Sequence, residues 1–466
     1  MKVLFVISPD IIPKKKFIKP KKKVGLYIPL SIAQISAVLE EQGHDIKVLD
    51  LRLSNNIFHD LFNSIKNSTP DLVGFTDSFF SAKITQDLTK ELRKKFKGLI
   101  VLGGSYATVF AKNILKINKA IDIIVLDEAD YTIGEILSSK NTSTKLNKIN
   151  GIMFRKGKKI IETKSRPVIQ NLDILPTPAF HLFDFNKYIP NPKHCKRTPI
   201  APMITSRGCV YGKCSFCYQP RKYGKRQSPK KVVSQIVELH KKYGIKEVRF
   251  WDDVFLYNNK WINEFCELLE KENLDIIWAC HARVDTVSKE MLLRVKKAGC
   301  WQVLYGLESA NFNLLKNINK GTTKKQARNA VKWTKEVGIE VRVSCILGLP
   351  GETPELTDET INFAYQLDPD ILQFSLITPY PGSKMYEQYK NSKQLDPNIK
   401  KYCEIKPVFL PKGYKNLKQL EKKYKQAYSN FYFKPKYLLG RILKIRTFDD
   451  IKRYYNGILM AINMSK

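Results

Sequence analysis

The sequence predicts an α/β protein in which an N-terminal doubly wound parallel sheet precedes a partial (βα)6 barrel and a small, mostly helical C-terminal tail. Apolar segments of strand length alternate with helical periodicity in two series, and a Pro-rich stretch without periodicity separates them. The length of 466 residues is enough for roughly two to four domains. We therefore expect a sheet domain, a hairpin with a Pro-rich linker, a barrel core and a basic extension, at residues 1–145, 146–198, 199–390 and 391–466.

The N-terminal series predicts the doubly wound sheet. Helical patterns separate its strand-like segments, and the pattern at residues 31–42 stops at Gly43. Such sheets bind ligands at the carboxyl ends of their strands, where Gly103 and Gly104 would allow close approach of a ligand. An ordinary tight turn explains this glycine pair equally well. The predicted strands lie at about residues 3–7, 46–51, 72–76, 99–102 and 122–126.

The second series has six strand-like segments with helical patterns between them. This number suits an open (βα)6 barrel, in which the loops after the strands build the site. The predicted strands lie at about residues 203–206, 247–251, 276–281, 301–306, 340–347 and 371–376.

Three cysteines on the loop after the first barrel strand are the sharpest local feature. Cys209, Cys214 and Cys217 fall within nine residues. Three thiolates on one loop can hold three irons of a [4Fe–4S] cluster and leave the fourth iron open. A zinc site remains an alternative, because His194 and Cys195 lie a short distance upstream and could complete a tetrahedron.

This loop resembles the Cys-x3-Cys-x-aromatic-Cys signature of the radical S-adenosylmethionine (SAM) superfamily, although its first gap has four residues. The resemblance implies a TIM-like barrel in which Cys209, Cys214 and Cys217 hold the [4Fe–4S] cluster. Motifs at the other strand ends, such as Trp251-Asp-Asp and Tyr305-Gly-Leu-Glu-Ser, fall where that superfamily binds SAM. The SAM-binding residues implied by the resemblance are Phe216, Asp252, Asp253, Glu308, Ser309, Gly348 and Pro379.

The N-terminal domain resembles the Rossmann-like cobalamin (B12)-binding domain that is fused to some radical SAM enzymes. The resemblance rests on residues 31–50 and 71–76 and on the runs GGSYAT and DEADYT. The frame in which related domains carry a cobalt-ligating His reads Asp10, Ile12 and Lys15, so we expect no protein His on cobalt. A degenerate domain that binds nothing is the alternative. The implied cobalamin-binding residues are Thr76, Gly103, Gly104, Ser105, Tyr106 and Glu128.

Together the two resemblances imply an enzyme that cleaves SAM to a 5′-deoxyadenosyl radical and most commonly C-methylates an unactivated carbon. An external one-electron donor of the flavodoxin or ferredoxin type would reduce the cluster, and the substrate is a small molecule or lipid of unknown structure. No individual catalytic residue is assigned. Cyclisation or rearrangement without methyl transfer is an alternative within the family. A non-catalytic basic RNA-binding protein is the alternative from another class.

Charge suggests anionic partners. The chain has 80 Lys and Arg against 44 Asp and Glu, a net charge of +36, and positions 390–446 hold 16 basic and 3 acidic residues. This tail could contact an anionic membrane surface or pack as an ordinary helix. No RNA-binding module is recognisable, so nucleic acid is not expected as a partner. With no targeting or spanning segment evident, we expect a cytoplasmic protein with peripheral contact at the inner membrane face.

Overall fold

The computed structural model describes residues 1–10, 25–139, 143–191, 194–218, 224–442, 451, 454–457, 459 and 462. These residues form two compact units. The first unit contains residues 1–10 together with Ile28–Lys187, and the second contains residues 25–27 together with the described residues from Tyr188 onward.

The first unit is built on a seven-stranded sheet with the order β2-β1-β3-β4-β5-β6-β7. Strands β1 to β5 are parallel, and the hairpin β6–β7 extends the sheet in antiparallel orientation. Both faces bury apolar side chains, which is typical of a doubly wound sheet. The strands are β1 (Lys2–Ile7), β2 (Asp45–Asp50), β3 (Leu72–Asp77), β4 (Leu99–Gly104), β5 (Ile123–Val125), β6 (Ile152–Lys156) and β7 (Lys159–Glu162).

Helices connect the parallel strands of this unit. Residues 171–175, which follow the hairpin, return to the first helix, where Leu172 and Leu175 pack against Val38. The helices are α1 (Leu30–Glu41), α2 (Ile57–Ser68), α3 (Ala82–Arg93), α4 (Ser105–Ile117), α5 (Thr132–Ser138) and α6 (Ser143–Leu146).

The second unit contains a six-stranded parallel sheet with the order β15-β14-β13-β12-β11-β8 and a two-stranded ladder, β9–β10. Its first strand, Ile200–Met203, begins three residues before the predicted start, because Ser206 and Arg207 pair with Arg226 and Lys225 instead. The strands are β8 (Ile200–Met203), β9 (Ser206–Arg207), β10 (Lys225–Arg226), β11 (Glu247–Phe250), β12 (Ile277–Ala282), β13 (Cys300–Glu308), β14 (Glu340–Leu347) and β15 (Ile371–Leu376).

The helices of the second unit follow the strands and then cover one sheet edge. Tyr428 and Tyr432 on helix α14 bond the backbone of the edge strand β15. No helix in the described part of the chain combines the length and the apolar character that a membrane span requires. The helices are α7 (Pro229–Tyr243), α8 (Asn259–Lys271), α9 (Lys289–Lys297), α10 (Phe312–Asn317), α11 (Lys324–Glu336), α12 (Pro354–Gln366), α13 (Lys384–Tyr389), α14 (Leu417–Tyr432) and α15 (Pro435–Ile442).

Candidate functional site

The three-cysteine loop follows β9 at the carboxyl end of the barrel sheet. Gly208 turns the chain with a φ of +86°, a conformation that favours glycine. Among the described residues none of the three cysteines forms a disulfide, and their exposure rises from Cys209 and Cys214, which are half-buried, to Cys217, which is exposed. The loop thus presents a graded set of thiols, one of them open to solvent.

Backbone hydrogen bonds fix this loop on two neighbouring segments. The Ser215 amide donates to the Ile318 carbonyl at 2.9 Å, and the Met385 amide donates to the Ser215 carbonyl at 2.8 Å. The Tyr211 hydroxyl donates to the Asn319 carbonyl at 2.8 Å. These bonds hold the cysteines against the turn after α10 and the start of α13.

Positive charge lies beside the middle cysteine. Burial raises the pKa of Cys214, while the Lys320 ammonium and the Arg283 guanidinium act in the opposite direction. Arg283 also stacks on the Tyr211 ring at 3.8 Å from its centroid. Because cations stabilise a thiolate, these two side chains favour the charge state in which a thiol binds metal.

Glu308, at the end of β13, forms a buried ion pair with Lys320. The Lys320 ammonium lies 2.7 Å from Glu308 Oε1, and both side chains are less than one-tenth exposed. Glu308 has a φ of +63°, where β13 and β14 shift register. A Cβ on Gly306 would lie 2.4 Å from Glu308 Oε1, so a larger residue there would push the Glu308 carboxylate out of place. Strained backbone of this kind concentrates at functional sites.

Asp252 has a local role in this structure. Its buried carboxylate accepts hydrogen bonds from the Thr205 amide, the Thr205 hydroxyl at 2.7 Å and the Ser206 hydroxyl. It therefore ties the end of β11 to the start of the cysteine loop. The adjacent Asp253 is exposed.

The other predicted SAM-binding residues lie after β13, β14 and β15 or on the cysteine loop. Ser309 Oγ accepts from the Asn311 amide at 3.1 Å. Gly348 has a φ of +85°, and a Cβ there would lie 2.7 Å from Leu420. Pro379 is buried, and Phe216 packs against an apolar cluster that includes Leu349 and Ile377, which are close in sequence to Gly348 and Pro379.

At the carboxyl edge of the first unit, a glycine and a buried acid meet. A Cβ on Gly104, whose φ is +112°, would lie 2.2 Å from the Asp77 carbonyl oxygen. Asp77 Oδ1 accepts from the Ala107 amide at 2.9 Å in the first turn of α4, and Asp77 Oδ2 is buried without a hydrogen-bond partner among the described residues. Burial raises the pKa of Asp77 to about 8.

The residues predicted to contact cobalamin surround this edge. Thr76 and Gly103 are the next-to-last residues of β3 and β4, while Ser105 and Tyr106 begin α4. Glu128 follows β5 and is buried, accepting from the Ile169 amide at 3.3 Å. Of the frame Asp10, Ile12 and Lys15, the last two lie outside the described residues, so the prediction of no protein His on cobalt stays a prediction.

Comparison with known proteins decides the family. The Radical SAM superfamily model matches residues 203–364, and the B12 binding domain model matches residues 22–137. An uncharacterized methyltransferase of Pyrococcus horikoshii is 33% identical over 470 residues, covering 98% of each chain. This chain belongs to the B12-binding-domain radical SAM enzymes. Membership of this family implies that the enzyme uses a [4Fe–4S] cluster, SAM and cobalamin. Radical SAM enzymes also need an external electron donor.

Further similarities extend over most of this radical SAM enzyme. The anaerobic magnesium-protoporphyrin IX monomethyl ester cyclase of Rubrivivax gelatinosus is 29% identical over 83% of this chain and 70% of its own. The structure of the cobalamin-dependent SAM radical enzyme OxsB, with aqua-cobalamin and SAM bound, matches with a TM-score of 0.74 at 17% identity. The structural match covers 99% of this chain and 71% of OxsB. At this low identity it shows that the two chains share a fold.

The donor chemistry of the cysteine loop fits an iron–sulfur cluster. It supplies three thiols, and the cations Lys320 and Arg283 lie within electrostatic reach of the Cys214 thiol, where they favour the thiolate. His194 and Cys195, the zinc alternative, lie elsewhere: His194 packs against Trp251, and the Cys195 thiol donates to the Arg197 carbonyl. Within the described ranges, no three His, Cys, Asp or Glu side chains form a single-ion site.

The edge of the first unit likewise fits a bound cofactor. The Asp77 Oδ2 atom is buried without a hydrogen-bond partner in the described chain, at the strand end where Gly104 lets β4 approach the Asp77 backbone closely. Sequence reasoning missed Asp77 and Lys320 as site residues, whereas Arg283 was placed with His281 at the end of the third barrel strand, toward the site. A signal was present for Asp77, which directly follows a predicted strand. None was present for Lys320, which lies 12 residues beyond its partner Glu308.

Proposed function

We propose that this enzyme C-methylates an unactivated carbon of a small molecule, with Cys209, Cys214 and Cys217 as cluster ligands. The observation that carries this proposal is the attachment of the cysteine loop beside the Glu308–Lys320 pair at the strand ends. When bound, the reduced cluster cleaves SAM to a 5′-deoxyadenosyl radical and cobalamin supplies the methyl group.

The chain itself contributes positioning and charge. Asp252 anchors the start of the loop, and Lys320 and Arg283 stabilise the Cys214 thiolate. Phe216 packs into the apolar cluster beneath the loop, which excludes water from that side. We propose that Glu308, Ser309, Gly348 and Pro379 line the SAM site, with Asp253 available at the surface next to Asp252. For cobalamin we propose Thr76, Gly103, Gly104, Ser105, Tyr106 and Glu128.

Cyclisation without methyl transfer is the second candidate. The similarity to the cyclase of Rubrivivax gelatinosus over most of the chain supports it. The two reactions differ in the fate of SAM, because a methyltransferase also produces S-adenosylhomocysteine when it recharges cobalamin. Formation of 5′-deoxyadenosine without S-adenosylhomocysteine would favour the cyclase.

The test is anaerobic purification with iron and hydroxocobalamin, followed by absorbance spectra and product analysis under dithionite. We expect about four irons per chain, a cobalamin band and both SAM products. The protein could instead cleave SAM but show no cobalamin band. That result would contradict methyl transfer and support only the formation of the 5′-deoxyadenosyl radical.

Two partners are part of this proposal. A flavodoxin or ferredoxin would serve as the electron donor. Assaying SAM cleavage with each of these proteins in place of dithionite tests this. The basic tail would contact anionic membrane, and the +36 charge supports such attraction. Most of residues 443–466 lie outside the described chain. Absence of co-flotation with anionic liposomes at low salt would contradict this contact.

A further inference from the structure

Two arginines point into the interior of the partial barrel. Arg249 lies on β11 and Arg342 on β14, and their side chains are 0% and 5% exposed. Strand register places Arg249 level with Ala279, then Gln302, then Glu340, so these residues share one face of the sheet. Arg342 lies two residues beyond Glu340 and shares that face, because strand side chains alternate.

Both guanidinium groups are only partly satisfied. Arg249 Nη1 donates to Gln302 Oε1 at 2.7 Å, and Arg342 Nη2 donates to Gln373 Oε1. The Nε and Nη2 atoms of Arg249 and the Nε and Nη1 atoms of Arg342 are buried without a hydrogen-bond partner in the described residues. Buried donors without partners are rare in proteins and mark ordered water or a ligand.

No carboxylate neutralises this pair by direct contact. Across the described part of the chain, neither arginine forms an ion pair. The buried acid Glu247 is engaged elsewhere, since it accepts from the Lys196 and Arg197 amides at 2.7 Å and from the Trp301 indole at 3.1 Å.

The two guanidinium groups lie within electrostatic reach of each other and of His281. Burial and the Arg249 charge lower the pKa of Arg342 to about 10. The pKa of His281 is held well below its usual range by burial and by the charges of both arginines. The two buried guanidinium groups beside this imidazole carry positive charge that no direct ion pair offsets among the described residues, and burying such charge is costly.

We propose that Arg249 and Arg342 together bind an oxyanion group, a carboxylate or a phosphate, inside the barrel. Resting on the proposed function, we assign this group to the substrate. Cys345 on β14 is the register partner of Glu308. Arg342 lies three residues before Cys345, so it is about 10 Å along the strand from the level of Glu308. An anion held there would anchor one end of a substrate whose reacting carbon lies nearer the strand ends.

Binding of two probes to the anaerobically purified holoenzyme tests this site. Inorganic phosphate and acetate would be titrated by calorimetry, with NaCl of matched ionic strength to remove attraction by surface lysines. We expect a dissociation constant of about 1 mM for the preferred anion. We expect binding to weaken at least about tenfold in Arg249→Gln and in Arg342→Gln. The exposed Arg328→Gln is the matched control and should bind like wild type.

The two probes also separate the chemical classes. Preference for phosphate would assign a phosphorylated substrate, and preference for acetate a carboxylate. Arg342→Lys keeps the charge but loses the guanidinium fork, so it should bind with intermediate affinity. It also keeps the test usable if the glutamine variants do not fold.

Three results would overturn the site: no anion binding above the NaCl control, equal binding in the arginine variants, or displacement of phosphate by saturating SAM. Displacement would mean that SAM itself occupies the pair. Failure of wild-type SAM cleavage would remove the proposed function and leave arginine-dependent anion binding intact. The two failures are therefore distinguishable.

Discussion

The Glu308–Lys320 pair shows how single residues set the chemistry beside the cysteine loop. Both side chains are buried, and Lys320 also lies within electrostatic reach of Cys214. Its carbonyl accepts from Arg283 Nη2 at 2.8 Å, which brings a second cation to the same place. One lysine thus links the strand end, the loop and Arg283.

Replacing this lysine should cost stability as well as SAM binding. In Lys320→Met the Glu308 carboxylate stays buried without its partner, so we expect the free energy of unfolding to fall by about 3 kcal/mol. SAM affinity, measured by calorimetry, should fall about tenfold or more. The control Lys316→Met alters an exposed lysine on α10. Identical unfolding of the two variants would contradict the structural part of this account.

The buried Asp77 should make the stability of the first unit depend on pH. Its pKa is about 8 in the folded protein against an ordinary 3.8, so the folded state holds a proton that the unfolded chain releases. The stability from this group is therefore lost as pH rises between those two values. We expect Asp77→Asn to gain thermal stability relative to wild type between about pH 5 and pH 8.

Thermal unfolding of both proteins across that range measures the effect. Asp87→Asn is the matched control, since in the described chain Asp87 forms an exposed ion pair with Lys83, 2.8 Å away. A constant difference between Asp77→Asn and wild type at all pH values would contradict the raised pKa of Asp77.

At the scale of elements, helix α14 protects the open edge of the barrel sheet. Tyr428 OH bonds the amide and carbonyl of Phe374 at 3.0 and 2.9 Å. Tyr432 OH does the same for Leu372 at 3.2 and 2.6 Å. These two hydroxyls stand where a further strand would, so the backbone of β15 is satisfied and covered.

Removing these hydroxyls should destabilise the protein without changing its fold. Each of Tyr428→Phe and Tyr432→Phe leaves a buried amide and carbonyl of β15 unpaired, at a cost of about 1 to 3 kcal/mol in the free energy of unfolding. Tyr386→Phe is the control, because no hydrogen bond of its hydroxyl is found among the described residues. Denaturant unfolding measures all three, and a loss no larger than that of Tyr386→Phe would contradict the role of α14.

Sequence patterns predicted most elements because strands and helices have different periods. Strands β14 and β15 have the predicted bounds, Glu340–Leu347 and Ile371–Leu376. The first barrel strand was misplaced because the apolar stretch continues upstream through Pro202, while Ser206 belongs to another ladder. Periodicity cannot distinguish which of two ladders a short segment joins.

The site was predictable only where it is local in sequence. The cysteine loop is a continuous motif, so its three proposed cluster ligands can be picked out from the sequence alone. Lys320 and Arg283 come from separate loops and meet Cys214 only through the fold. Asp252 lies at its predicted strand end, yet its carboxylate bonds Thr205 and Ser206, a use that spacing cannot reveal.

At the scale of the whole molecule, each of the two compact units carries one of the two proposed cofactor sites. The first presents Gly104 and Asp77, and the second presents the cysteine loop with Glu308 and Lys320. The family assignment excludes the non-catalytic RNA-binding alternative as the primary function of the chain.

The most direct test of the central claim is 5′-deoxyadenosine formation by wild type and by a triple variant in which Cys209, Cys214 and Cys217 become Ala. After anaerobic reconstitution and reduction with dithionite, we expect product from wild type and from the control Cys403→Ala, whose thiol is buried outside the loop. The triple variant should form none, because its loop offers the cluster no thiolate ligand. Product from the triple variant at the wild-type rate would contradict the assignment of the loop.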